Sequence, residues 1–574
     1  MAQQPPIAID DIRVLIDISG SMKRTDPNNL RAPALRLFVS LLPPGSQGGV
    51  WTFGQWVNML IKPSPVDSQW KNTARSAAGM INSHGMFTNI EDALQRATWD
   101  WSRPDPAYRR SLILLTDGLV DVSDDPAKNT TSRRHILENL LPRLRMAGVK
   151  IHTIALSNES DSELLRQLAA STGGWFETVE KADGLEKIFF RMFEKVAATN
   201  TLPLSNNRVT IDGSIKEATF LVFRESEEKE TTISTPSSSV FSQTDHPKEM
   251  QWHKESRYDL ITVKNPEAGD WQINAKMDPD NRVMVITDLQ LKSTTLPNDL
   301  VANKAIPFQV RLEQKGNTIQ RREFLRFVSV ALTQTSMKEE KWQWELHDNG
   351  EAPDEVANDG IYTGLLGESL IEGEHEIEVK VDGTTFKRNS RQLIKVHDQP
   401  VVASVSPMDE GHVVISIVPY QSLINADDMH LEVLHSNPSG ELKELELARV
   451  SPSEWRVVLD EHESPGEHSI KIHLTGTSPD GEAIDTTIAP MFFNIGAIEM
   501  PRLDNHEEAS PADDLTNEPA IDRVDQNVNW LFVGLRMLVL NIFMIAFVFG
   551  GYKLWPMIKK RLIPNPCEYL ANAK

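Results

Sequence analysis

The sequence predicts an α/β doubly wound, Rossmann-like domain, then all-β immunoglobulin-like sandwiches, then one C-terminal transmembrane helix. Three observations carry this. Between residues 8 and 198 short apolar runs alternate with stretches of helical periodicity. After Thr201 they give way to short alternating segments cut by turn residues, and one long apolar run, Trp530 to Tyr552, lies near the end. A chain of 574 residues is too long for one hydrophobic core, so several domains are required.

Arg13 to Ser19, Gly49 to Gly54, Ser111 to Thr116 and Val149 to Leu156 are short, apolar and mostly rich in β-branched residues, which suits strands buried on both faces. Between them Leu30 to Leu42, Asn89 to Trp101, Arg133 to Met146 and Ser160 to Ala170 repeat apolar positions at helical spacing, the last opening on a serine able to cap it. A closing helix is expected from Asp183 to Ala198. Such alternation builds a parallel sheet covered on both sides, with functional loops at the carboxyl ends of its strands. This domain is set at residues 8–198.

Glu217 to Phe223, Val283 to Thr287, Glu374 to Val381 and His468 to Leu474 alternate apolar and polar residues, as half-buried strands do. Turn signals near Pro297 and His397 to Pro400 divide the region into β-sandwich units at 202–297, 298–397 and 398–497, a normal size for immunoglobulin-like domains. Ser234 to His246 reads as a loop, and Trp271, after the turn at Lys264 to Asp270, as a packing residue. Residues 501–527 are acidic, Pro- and Ser-containing and aperiodic, hence a flexible linker.

Residues 530–552 are long enough to span a hydrocarbon core as a helix, with Arg536 near one end, where it can reach the headgroups. Lys553, Lys559, Lys560 and Arg561 follow, so the positive-inside rule makes 553–574 a cytoplasmic tail and places the N-terminal bulk outside. The expectation is a single-pass protein of a bacterial inner membrane, its large region periplasmic. The first residues, MAQQPPIAIDD, hold no apolar export segment, so this orientation implies a processed chain or a misplaced start.

Composition excludes one class of partner. With 59 basic against 81 acidic residues and a net charge of −22, the chain lacks the basic surface that nucleic acid demands. Its single cysteine, Cys567, rules out a disulfide framework before the apolar run.

Asp17-Ile-Ser19-Gly-Ser21 ends the first strand, Thr116-Asp117-Gly118 ends a later one, and Thr88 precedes a helix within Gly85-Met-Phe-Thr-Asn. Carboxylates and small hydroxyls on neighbouring loops are the oxygen donors that a hard cation takes. In this order the segments resemble von Willebrand factor type A domains with a metal-ion-dependent adhesion site, over roughly residues 8 to 198. The resemblance implies Ser19, Ser21 and Thr88 as hydroxyl ligands, Asp17 and Asp117 as carboxylates, Mg²⁺ (or Mn²⁺) as the ion, and an open position for an acidic side chain of a protein partner. Asn28 and Asn89 adjoin these loops as ligand-orienting or helix-capping residues.

A second candidate, for Ca²⁺, is Asp348, Asp354, Asn358 and Asp359 in an acidic, glycine-containing loop, which looks like one found in bacterial extracellular sandwich domains. The HExxH, GxSxG, Walker A and GxGxxG motifs are absent, and His84 beside Thr88 reads as a surface or structural residue, so no enzyme is expected. The reading is a membrane-anchored protein that binds a protein ligand through its metal, in adhesion or envelope-complex assembly, with the β units as a stalk. The alternative is a cytosolic accessory to an AAA-type ATPase, in complex assembly or metal insertion.

Overall fold

The computed structural model describes residues 8–495, apart from short segments at 158–159, 198, 226–229, 303, 368–369, 408–412, 452–453, 460–464 and 480. The expected linker (501–527), transmembrane helix (530–552) and tail (553–574) lie outside the described residues. No helix among the described residues is long and apolar enough to cross a membrane.

The N-terminal sheet has six strands: β1 (Ile9–Asp17), β2 (Gln47–Phe53), β3 (Val57–Pro65), β4 (Tyr108–Thr116), β5 (Val149–Leu156) and β6 (Phe176–Val179). Their spatial order is β3-β2-β1-β4-β5-β6, all parallel except β3, which runs antiparallel at the edge. Apolar residues fill both faces of the central strands because both faces are covered. Ile12, Val14 and Ile16 pack with α2 (Arg31–Leu41), α3 (Ser68–Ala77) and α8 (Leu185–Val196), whereas Leu15, Leu112 and Leu114 pack with α4 (Ile90–Ala97), α6 (Leu141–Met146) and α7 (Ser162–Ala170). Two more helices belong to this domain, the single turn α1 (Met22–Thr25) and α5 (Pro126–His135).

Local chemistry sets the helix ends. Asp67, Asn89, Asp125 and Asp161 each accept a backbone N–H of the following turn, from Trp70, Asp92, Ala127 and Leu164 respectively. The cap of α7 is therefore Asp161, not Ser160, whose hydroxyl instead donates to Ser157 O. The helix expected from Arg133 starts at Pro126 and passes through a π-turn at Ile136–Leu140 into α6. Its first half, PAKNTTSRRH, buries little beyond Ser132, so it lacks an apolar stripe.

The rest of the described chain is β. Val209, Ile211, Ile233 and Ile273 from a four-stranded sheet share a core with Phe220, Val222, Ile261 and Val283 from a larger one. Trp271 sits in that core, its indole N–H donating to Glu267 O. Within the expected 234–246 loop, Val240–Phe241 pairs with Thr232–Ser234. The next core begins at Leu289 and Leu291 rather than after Pro297, since Leu289–Ser293 pairs with Ile306–Gln314 and not with the strands before it. One ten-stranded sheet crosses that boundary, with Asn389 of Phe386–His397 opposite Thr201 of Asn200–Leu202. Two four-stranded sheets close on a last core around Ile415, Val433, Ile470 and Leu474.

These β regions are not a stalk beneath a free domain. Leu221, Phe223, Tyr258, Leu260 and Met284 join the core of α2 and α8, and Tyr258 Oη donates to Pro33 O at 3.1 Å. Farther along, Asn298 Nδ2 donates to Gly173 O (3.0 Å), Lys395 Nζ to Phe176 O (2.6 Å), and Gln167 Nε2 to Glu454 Oε2 (3.1 Å). Each of the three β regions thus anchors to the α/β domain, because α8 and the loop before β6 present apolar and polar groups that need covering.

Candidate metal centre

Three loops meet at the carboxyl edge of the sheet. Ser19 bridges to Gly85, whose N–H donates to Ile18 O at 2.8 Å, and Thr88 and Asp121 exchange backbone hydrogen bonds at 2.6 and 3.1 Å. The approach depends on glycine. A methyl group on Gly85 would lie 2.8 Å from Ile18 O, and one on Gly118 would lie 3.1 Å from Thr88 Oγ1. Backbone thus brings the Asp17, Thr88 and Asp117 segments together before any side chain does.

The side chains then converge. Ser19 Oγ and Ser21 Oγ are 2.9 Å apart, Ser21 Oγ donates to Asp117 Oδ1 at 2.7 Å, and Asp17 Oδ1 accepts the Ser19 N–H at 2.7 Å. A serine that donates its proton to a carboxylate keeps its lone pairs for a cation. Asp17, Ser19, Thr88 and Asp117 are buried, while Ser21 is half-buried and its neighbour Gly20 exposed, so the cluster opens to solvent on one side.

Electrostatics tests the fit of an ion. Asp17 is fully buried, and burial, reinforced by the nearby charge of Asp117, pushes its carboxyl up to about 6 against the lowering effect of its Ser19 and Thr116 hydrogen bonds. The buried Arg31 guanidinium donates to the Asp17 main-chain carbonyl and not to its carboxylate. Two buried carboxylates beside the Ser19 and Ser21 hydroxyls form a negative, oxygen-lined site of the kind that suits a small divalent cation. Among the described residues no group of three His, Cys, Asp or Glu could hold a metal, so hydroxyls are essential to this donor set.

Three contributors escaped the sequence reading. Thr25 Oγ1 donates to Asp117 Oδ2 and Thr116 Oγ1 to Asp17 Oδ2, both at 2.5 Å, fixing the second oxygen of each carboxylate. Thr25 lies one helical turn beyond Ser21, a spacing that could have flagged it. Arg31 is fully buried, paired with Asp26 at 2.6 Å, and donates to Asp17 O and Ser83 Oγ, both at 2.6 Å. It ties the first ligand loop to the segment before Thr88. Asn28 is exposed, Asn89 is the cap of α4, and His84 is exposed.

The candidate calcium residues do not converge in this way. Asp348 accepts the N–H groups of Asp359 and Gly360, Asp354 that of Gly350, and Asp359 that of Ile361, while Asn358 turns the chain with φ 60°. These carboxylates close their own loop on backbone amides, as Asp does in turns.

Residues 11–191 match the family profile of the von Willebrand factor type A domain. The chain is 23% identical over 419 residues to calcium-activated chloride channel regulator 1 of Bos taurus, an alignment that covers 67% of this chain and only 41% of that protein. Among solved structures it is similar to a von Willebrand factor type A protein from Catenulispora acidiphila, with TM-score 0.29, 14% identity, and 54% and 64% of the two chains covered. It is also similar to the ArnB paralog VWA2 from Sulfolobus acidocaldarius, with TM-score 0.26, 14% identity, and 54% and 63% covered. A third likeness is to proximal thread matrix protein 1 from the mussel byssus with zinc-occupied MIDAS motif, with TM-score 0.27, 17% identity, and 36% and 50% covered. Residues 11–191, which carry all five hydroxyl and carboxylate positions, are a von Willebrand factor type A domain.

Proposed function

We propose that this protein binds a protein partner through a divalent cation, Mg²⁺ or Mn²⁺, held by Asp17, Ser19, Ser21, Thr88 and Asp117. The observation that carries the reading is the clustering of two carboxylates and two serine hydroxyls, within 2.7–2.9 Å links, at an edge that opens to solvent. When bound, the ion supplies an electrophilic point that attracts a partner's acidic side chain. The hydroxyls leave its charge less neutralised than further carboxylates would. Thr25 and Thr116 hold the two carboxylates in place, and Arg31 holds the loops in register. The function is non-enzymatic, in adhesion or assembly of an envelope complex. The apolar run at 530–552 and the lysines after it support a single-pass anchor in a bacterial inner membrane, with the described region periplasmic.

The test is calorimetry of Mg²⁺ and Mn²⁺ binding to the purified chain, paired with capture of a carboxylate-bearing ligand with and without EDTA. Asp117→Ala is expected to abolish both signals. An Asp117→Ala protein that binds ion and ligand as the parent does would sink the proposal.

A further inference from the structure

The loops that bring the ligands together also carry large apolar side chains that the fold does not bury. Trp56 is 70% exposed, Met86 63% and Leu119 59%. Each sits beside a ligand segment. Leu119 follows Asp117 by two residues, and Met86 precedes Thr88 by two. Trp56 belongs to the β2–β3 loop, where Gly54 N–H donates to Trp56 O and Gly54 O accepts from Asn89 N–H at 3.1 Å. A methyl group on Gly54 would lie 3.1 Å from Gly85 Cα and 3.3 Å from Met86 O, so this loop abuts the one that bears Thr88.

Scattered single apolar residues on a surface need no explanation, but three on adjacent loops around one opening do. A free aqueous ion offers nothing to a tryptophan, a methionine and a leucine, so what these side chains would meet is the group that the cation holds. That group is a carboxylate by charge complementarity. A lone Asp or Glu side chain would leave all three residues wet, so the occupant is a carboxylate carried between large apolar groups.

We propose that Trp56, Met86 and Leu119 form a docking collar for a partner protein whose metal-binding Asp or Glu is flanked in sequence by large apolar side chains. This rests on the metal reading above and names the chemistry of its partner. The ion fixes one atom of the partner, and the collar selects what surrounds it.

The test is selection from a displayed peptide library with a fixed central Asp or Glu and randomised flanks, using the full chain in Mg²⁺, followed by affinities for the selected peptides. The collar predicts Leu, Ile, Phe or Met beside the acid, with affinity about tenfold or more above Ser- and Gly-flanked controls. The triple variant Trp56→Ser, Met86→Ser, Leu119→Ser is expected to lose that preference while its Mg²⁺ affinity, measured by calorimetry, stays unchanged, which also reports that it is folded. Mg²⁺-dependent binding with no preference among flanks overturns the collar and leaves the metal reading intact. No Mg²⁺-dependent binding of any acidic peptide overturns both. Metal-independent adsorption to phosphatidylcholine vesicles that the triple variant loses would reassign the residues to a lipid surface, and Mg²⁺-dependent self-association that it loses would reassign them to a second copy. Either result overturns the proposal.

Discussion

Arg31 is the residue on which the site's geometry most depends without touching the proposed ion. Its guanidinium is fully buried against Asp26, itself 1% exposed, and bridges Asp17 O to Ser83 Oγ. Removing one partner of a buried pair leaves the other uncompensated, so Arg31→Ala is expected to cost about 3–5 kcal/mol, read from denaturant unfolding of the full chain. Arg31→Ala with Asp26→Asn should recover part of that loss. Glu186 makes a pH prediction. It is 2% exposed at the start of α8, its Oε1 has no hydrogen-bond partner among the described residues, and burial pushes its carboxyl up to about 7. A carboxyl held above its unfolded value favours folding below about pH 4, and that contribution disappears as pH rises through about 7. Glu186→Gln is therefore expected to raise stability at pH 8 and flatten its decline between pH 4 and 8, as thermal melts across that range will read. These residues had no sequence signature. That the segments of Asp17, Ser19, Ser21, Thr88 and Asp117 belong together was readable because loops at strand ends repeat a known order, whereas Arg31 and Glu186 sit on helices that carry other charged residues, such as Arg36 and Lys187, and only their burial marks them.

At the level of elements, three loops approach closely because glycine permits it. Gly85→Ala places a methyl group against Ile18 O and Gly54 Cα, both backbone atoms that cannot swing aside. The expected result is weaker Mg²⁺ binding by about tenfold or more with a smaller change in overall stability, measured by calorimetry and melting of the same sample. Gly79→Ala, where the added methyl meets nothing within 4 Å, serves as control. The elements that carry these loops were readable to different degrees. β1, β4 and β5 are apolar on both faces and announced themselves. β3 did not, because as an antiparallel edge strand it buries only Ile61 and contains Pro63 and Pro65, which read as loop. β6 is four residues long, and α3 buries just Trp70, Ala74 and Ala77 of ten. β3 and β6 bury too little to leave a periodic pattern, whereas the stripe of α3 has helical spacing but is two-thirds alanine, too weakly apolar to stand out.

For the described molecule as a whole, the β regions are structural partners of the α/β domain. Arg36 makes a double hydrogen bond to Glu255 at 2.6 and 2.8 Å, and Phe190 meets Phe223 edge-on with ring centroids 6.1 Å apart. Residues 8–198 expressed alone would expose that face of α2 and α8, so the fragment is expected to melt well below the intact chain and to bind hydrophobic dye. Equal melting temperatures would show the contacts to be incidental. This wrapping was invisible in the sequence, since strands such as Asn200–Leu202 and Phe386–His397 pair across 188 residues between Thr201 and Asn389, and alternation alone does not say which strand a strand will meet. What unites these scales is the proposal of a cation held jointly by distant segments, with its outward face free. Anomalous diffraction from crystals of the protein grown with Mn²⁺ tests this most directly. The predicted result is one strong peak about 2.1–2.2 Å from the serine hydroxyls, bordered by Asp17, Thr88 and Asp117, with at least one position filled by water or a foreign carboxylate. No peak at that edge, or a peak enclosed entirely by the protein's own oxygens, would contradict it.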